Sequence, residues 1–270
     1  MLIRVGCSFV QETTAPTHGV LQVEPRRDIG ATVVEDAWAN SPPGAGRTYL
    51  DVYGNLCRRL TLPEGRSSLR YDALVDVDDR LDPADPAAPE IPPGDLPDDV
   101  LVFNLPSRYC PSDALGDTAW QLFGSVEPGW SRVQAICDWV HDSIAFGYGT
   151  STSLTTALDV YETRTGVCRD FAHLAVTFCR AFNIPTRYAF GYLPVIDVPP
   201  PDDPIDFCAW IEVYLGGRWW TFDPRNNERR IGRVLIGRGR DAVDVAMITT
   251  YGGAELTSME VRAEPATARR

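Results

Sequence analysis

The stretch Asp206-Phe207-Cys208-Ala209-Trp210-Ile211-Glu212-Val213-Tyr214-Leu215-Gly216-Gly217-Arg218-Trp219-Trp220-Thr221-Phe222, closed by Asp223, decides the fold. Residues 207–215 and 218–222 are rich in aromatic and β-branched side chains and read as strands. Gly216-Gly217 between them is a two-residue hairpin signal. Antiparallel pairing brings residue 208 and Asp223 toward each other on one sheet face. Asp223-Pro224 taken alone also reads as an ordinary turn opener.

Working upstream, Arg187 to Leu193 is a further strand, and helices precede it. Phe171, Leu174, Ala175, Phe178 and Phe182 form the buried stripe of a helix that opens near Cys168, in Gly166-Val167-Cys168-Arg169-Asp170. Asn183-Ile184-Pro185 ends it, because proline cannot continue the hydrogen-bond ladder. Val133, Ile136, Val140 and Ile144 share one face of a helix near 131–145. Thr155 or Thr156 caps a short helix reaching Thr163. Downstream, a strand pair is expected in Val243 to Tyr251 and Glu255 to Val261. Helices followed by an antiparallel sheet make an α+β layout.

Residues 1–77 read differently. Partial alternation in Leu2 to Val10, Val20 to Val23 and Thr48 to Tyr53, with turn signals such as Gly54-Asn55, predicts a small antiparallel N-terminal β-rich domain. Residues 78–100 hold six prolines and seven aspartates with few large apolar side chains. Such a stretch cannot bury enough surface to fold alone and reads as a linker. The core is then 101–270.

With 270 residues the chain can bury a full core. A net charge of −12 argues against nonspecific nucleic-acid binding, which needs a basic surface. All the positive side-chain charge at neutral pH is arginine; there is no lysine. Seven cysteines at scattered spacings, without a CxxC pair, are no disulfide framework. The start lacks the marks of a secretory signal, and no run approaches a membrane span. The expectation is a cytoplasmic protein with no nucleic-acid or membrane partner.

A thiol at the tip of the 168 helix feels the helix dipole and free backbone N–H groups. Both favour the nucleophilic thiolate, whereas most free cysteines are simply small buried hydrophobes. Leu105 to Cys110, Arg132 to His141, the Cys168 helix, Asp206 to Asp223, and Ile231 through Asp241 together resemble a bacterial transglutaminase-like subfamily of papain-like cysteine enzymes. The resemblance spans about residues 101–252. It implies a papain/transglutaminase-like core and acyl transfer or amide hydrolysis through a thioester, with no cofactor. It also implies a Cys-His-Asp triad in chain order. Carried over by position, Cys168 is the nucleophile and Asp223 the acid. The family's Phe-His-Ala-Trp is here Phe207-Cys208-Ala209-Trp210, so Cys208 holds the place of the base.

A thiol there, with an unperturbed pKa of ~8.5, has no cationic form. It cannot make a thiolate–imidazolium pair or give an amine its proton. General acid–base catalysis is typically worth ~10²–10⁴-fold, so ordinary amides should suffer by about that much. Thioesters suffer less, because a thiolate departs without a proton. The leading expectation is an enzyme acting on small-molecule, peptide or carrier-bound acyl donors, of the kind used in specialised metabolism. Rival readings are a catalytically retired scaffold that binds a peptide or partner, a metal site built from Cys168, Cys208 and Asp223, and a reversible Cys168–Cys208 disulfide.

Three histidines exist. His18 falls in the β-rich part, His141 beside an apolar helix position, and His173 about 140° around its helix from Cys168. All three read as structural. Trp210 and Trp220, with Arg225, are the candidate substrate-binding residues, although tryptophans on strands are more often core. Arg225, Arg229, Arg230, Arg233, Arg238 and Arg240 form a basic stretch: a solvated loop with internal ion pairs, or a clamp for a carboxylate or phosphate.

Overall fold

The computed structural model describes residues 1–27, 30–44, 46–200 and 204–266. Period-two alternation in the N-terminal part folds into β1 (Leu2–Thr13), β2 (Thr17–Leu21), β3 (Ala31–Ser41), β4 (Arg47–Leu50), β5 (Leu56–Leu62) and β6 (Gly65–Val77). Ile3, Val5, Cys7 and Phe9 of β1 face inward with Leu69, Tyr71, Ala73 and Val75 of β6, because alternate side chains share a face.

The second part is mostly helical at first. It runs α1 (Gly116–Phe123), α2 (Trp130–Ser143), β7 (Ala145–Phe146), α3 (Ala157–Thr163), β8 (Thr165–Gly166) and α4 (Cys168–Ala181). It then forms β9 (Thr186–Tyr192), β10 (Cys208–Leu215), β11 (Arg218–Phe222) and β12 (Val234–Gly239). Thr156 caps α3 in a reciprocal box with Asp159, the device expected from its sequence.

Helix α4 is buried from Asp170 through Arg180. It packs against α1, α2 and α3 and against β9 and β10. The sheet order is β11-β10-β9-β12, all antiparallel. Gly216 and Gly217 turn β10 into β11 with φ of 58° and 85°, the left-handed values of a primed hairpin turn. Buried Glu212 accepts from Arg187 Nε at 2.6 Å and from Arg238 Nη2 at 2.9 Å. One carboxylate thus ties β9, β10 and β12 together.

Two expectations change at the boundaries. Residues 78–100 are a fastened strap rather than a loose linker. Asp82 N–H donates to Arg230 O, Glu90 pairs with Arg132 at 2.9 Å, and Pro89 O accepts from Gly216 N–H. Low hydrophobicity does not prevent docking when carboxylates and backbone groups find partners elsewhere. The last strands also leave the core. β13 (Ile248–Tyr251) pairs with β2, and β14 (Ala254–Pro265) pairs with β1, so they complete two different N-terminal sheets instead of pairing with each other. The N-terminal unit is therefore built from both ends of the chain, and the core stops short of 270.

Gly191 lies opposite Cys208 in the β9–β10 ladder. A Cβ there would run into the Val234 carbonyl and the Trp210 ring. Gly191→Ala is expected to cost about 1–3 kcal/mol of stability through overpacking. Urea denaturation should show a lower midpoint at unchanged slope; an unmoved midpoint would contradict the packing described.

Candidate active site

Cys168 is the first residue of α4 and is half-buried. Val167 enters the helix in extended conformation, and its N–H donates to Asp170 Oδ2 at 2.8 Å. Asp170 is fully buried and ion-paired with Arg169 at 3.0 Å, which fixes the first turn. Across from this helix tip, β10 begins with Cys208, which is buried.

The two thiols are close enough that each shifts the other's ionisation. Cys168 is held below its ordinary thiol pKa, first by Cys208, then by the backbone N–H of Ala209 and the charge of Arg225, against burial and Asp206. Cys208 is pushed well above its ordinary value by that same proximity, by burial and by Asp223. Of the two thiols, Cys168 is therefore the one that ionises more readily. When protonated, Cys168 Sγ donates to Phe207 O at 3.7 Å.

Asp223 follows β11 and is buried. Ile211 pairs with Phe222, so Asp223 comes level with Trp210, two residues along the strand from Cys208. It influences Cys208 electrostatically, yet its oxygens are engaged elsewhere. Oδ1 accepts from Asn226 N–H at 2.9 Å, and Oδ2 accepts from Asn226 Nδ2 at 2.8 Å and Arg233 Nη2 at 2.9 Å. Arg233 Nε donates at 2.8 Å to Asp82 of the strap. Burial disfavours the Arg233 charge, but Asp223 and Asp82 more than offset this and hold its pKa up.

Cys168 and Cys208 both line a cavity of about 320 Å³. Its apolar walls include Phe146, Tyr148, Leu193, Val195, Val198 and Ile205, and its polar lining is Asp206, Arg225, Asn226, Glu228 and Arg230. Burial raises the Asp206 carboxyl, with the Phe207 N–H and Arg225 acting in the opposite direction.

No histidine lines this cavity. His18 bonds Thr61 on β5, and His141 Nδ1 donates to Arg225 O at 2.7 Å. His173 is buried between the rings of Tyr109 and Tyr188, with Nε2 accepting from Ala242 N–H at 3.1 Å. Burial pushes His173 down to about 3, so it stays neutral.

Of the expected substrate-binding residues, only Arg225 lines the cavity. Trp210 is packed with Ala189, Leu193 and Cys208, and Arg233 lies 5.0 Å over its ring. Trp220 donates to Leu215 O at 3.0 Å and meets Trp130 edge-on. Both tryptophans are core because their strand faces point into packed layers. The metal reading of Cys168, Cys208 and Asp223 also fails on geometry. Asp223 faces a guanidinium and an amide, and among the described residues no three His, Cys, Asp or Glu side chains could hold an ion.

The basic stretch is largely spoken for internally. Arg229 reaches Asp82 O, Arg230 reaches Pro194 O, Arg238 pairs with Glu212, and Arg240 with Asp244. Sequence reading missed the strap residue Asp82, the Ala209 N–H and the cavity walls Phe146 and Tyr148. No local pattern marks any of them.

Comparison with known proteins identifies the family and the fold. The Transglutaminase-like superfamily matches residues 117–224. The crystal structure of a proposed cysteine protease from Cytophaga hutchinsonii superposes with a TM-score of 0.89 at 33% identity, covering 97% of this chain and 90% of that one. An uncharacterised Mycobacterium tuberculosis protein is 30% identical over 87% of this chain and 81% of its own length. A Mycobacterium leprae protein, also uncharacterised, is 25% identical over 95% and 94%. The chain belongs to the transglutaminase-like superfamily, a cysteine-based catalytic family, and has its α+β fold. Among the described residues, no helix is long and apolar enough to cross a membrane.

The thiol pair sets a pH expectation. Alkylation of Cys168 should rise with pH through a midpoint below that of an ordinary thiol, because the thiolate is the reactive form. Cys208→Ala removes the leading stabiliser of that thiolate and should move the midpoint upward. Iodoacetamide labelling across pH, read by peptide mass, checks this; a midpoint that stays put or falls would refute the thiol–thiolate pairing.

Proposed function

We propose that the protein is a cysteine acyltransferase or amidohydrolase that forms a thioester on Cys168 and works best on activated acyl donors, thioesters above all. The observation that carries this reading is Cys168 at the first turn of α4, lining a cavity beside a second thiol and no imidazole, where its surroundings favour the thiolate. The Cys168 thiolate attacks the donor carbonyl, a C–S bond forms, and the donor's thiolate leaves with the electron pair. No proton has to be delivered, so Cys208 can keep its own. The Cys168 N–H, in the unsatisfied first turn of α4, is the donor offered to the oxyanion. Water or an amine then takes the acyl group, loses its proton to solvent, and returns Cys168 as thiolate.

Amide donors are different, because an amine leaves only with a proton. Cys208, raised well above its ordinary pKa, is a poor source. Asp223 cannot substitute, since its oxygens are held by Arg233 and Asn226. The substrate class is therefore small-molecule, peptide or carrier-bound acyl groups on good leaving groups.

A chromogenic thioester assay on the wild type and on Cys168→Ala tests the proposal. The variant should fall to the uncatalysed rate, and intact mass should show an acyl adduct on wild-type Cys168; equal rates would end the reading. Cys208→His should raise amide hydrolysis by roughly 10²–10⁴-fold, the usual worth of general acid–base catalysis. No gain would mean that more than the base separates this site from an amidase.

A further inference from the structure

The geometry points to Arg225 as an anion-recognition residue, so that the preferred acyl donor carries a carboxylate on an apolar chain. This inference rests on the acyl-transfer reading above and names its substrate class.

The loop that carries Arg225 is fixed from both sides. Pro224 before it is buried, and Asn226 after it donates its N–H to Asp223. The carbonyl of Arg225 accepts from His141. The guanidinium carbon lies 4.0 Å over the Phe146 ring. A cation–π contact uses the face of the guanidinium and leaves its in-plane N–H fork unspent. Among the described residues, no carboxylate or carbonyl accepts a hydrogen bond from that fork. This sets Arg225 apart from Arg230, the other cavity arginine, which donates to Pro194 O and pairs with Glu228.

The carboxylates nearest the site do not use the fork either. Asp206 accepts from the Phe207 N–H, and Glu228 faces Arg230. Arg225 is thus a half-buried cation whose planar donor set meets no acceptor among the described residues, in the same cavity as Cys168. Planar bidentate recognition of a carboxylate is what such a fork does well. Phe146, Leu193, Val195 and Ile205 would line the apolar part of the ligand.

Charge balance fits the sequence of events. Before reaction, Arg225 helps hold the Cys168 thiolate. Once the thioester forms, the negative charge departs with the leaving thiolate, and the guanidinium is left facing a neutral sulfur. A carboxylate on the acyl chain then takes the thiolate's place as a partner of Arg225, whose charge also acts on Asp206, and keeps the acyl group in place.

Two alkylating agents of similar size test this without requiring turnover. Iodoacetate is an anion and iodoacetamide is neutral, and both report on the Cys168 thiolate. Their rate ratio therefore cancels any change in thiolate fraction. In wild type the ratio should exceed that of Arg225→Gln by about tenfold, the scale of one hydrogen-bonded charge pair. Arg225→Lys should retain an intermediate ratio, and rising salt should erode the wild-type advantage. A ratio unchanged in Arg225→Gln would overturn the inference. On the wild type alone, glutarate should protect Cys168 from iodoacetamide saturably while pentanamide does not; equal protection, or none, would also overturn it. These outcomes are separable from failure of acyl transfer. Adducts from pentanoyl and glutaryl thioesters at equal rates would sink only the carboxylate preference, whereas anion-selective labelling without any acyl adduct would sink only the acyl-transfer reading.

Discussion

A single buried guanidinium, that of Arg233, holds the site in its present form. It lies between Asp82 of the strap and Asp223 at the end of β11, and it approaches the face of Trp210. The strap, 151 residues away in sequence, and the β10–β11 hairpin meet on it. Remove its charge and buried Asp223 would be left beside half-buried Asp82 with no cation between them, a situation that destabilises the fold or forces one carboxyl to protonate. The strap, the hairpin and β12 are therefore joined by an electrostatic requirement as well as by packing. The same pairing explains the state of Asp223. In a working triad the acid orients an imidazole and stabilises its cation. With a thiol at residue 208 there is no N–H to orient, and the charge of Asp223 is answered by Arg233 instead.

Much of this was open to sequence reading, and the divide follows the range of the interaction. Helix α4 announces itself through Phe171, Leu174 and Phe178, three and four residues apart, and β10–β11 through Gly216-Gly217. Those signals are local, and so are caps such as Thr156. Helix α1 escaped because Gly116–Phe123 is short and has a glycine at its start. β12 escaped because Val234–Gly239 ends in alternating glycine and arginine, which reads as loop until Glu212 is known to receive Arg238. The strap escaped for the same reason. Asp82 and Arg233 are 151 residues apart, and no periodicity links them. Residues 248–265 read as strands, but their partners lie near the N-terminus, where no turn signal could point.

The candidate site divides in the same way. Cys168, Cys208 and Asp223 were legible because they sit in strings with a family resemblance. What each of them touches was not. Trp210 and Trp220 looked available because strand alternation gives a face without saying what covers it. Arg225 and Arg233 looked alike in one basic stretch, yet Arg233 is locked between two carboxylates while the Arg225 fork meets no acceptor among the described residues. Only three-dimensional partners distinguish them.

The charges around the cavity restrict the chemistry more firmly than the identity of residue 208 alone. A thiolate–imidazolium pair is neutral overall and carries a movable proton. In the dithiol pair here Cys168 ionises before Cys208, and once it has done so the remaining proton sits on the more basic sulfur. Attack on a carbonyl moves that charge from sulfur to oxygen, within reach of the first turn of α4. Arg233 cannot help, because Asp82 and Asp223 already claim it. Arg225 is the one cavity arginine whose charge acts on the Cys168 thiolate without being spent in an ion pair among the described residues. Such a site can stabilise a displaced anion but supplies protons poorly, so the leaving group must tolerate departure as an anion. In the acyl-transfer reading proposed above, that requirement, more than the shape of the cavity, would favour thioesters over amides.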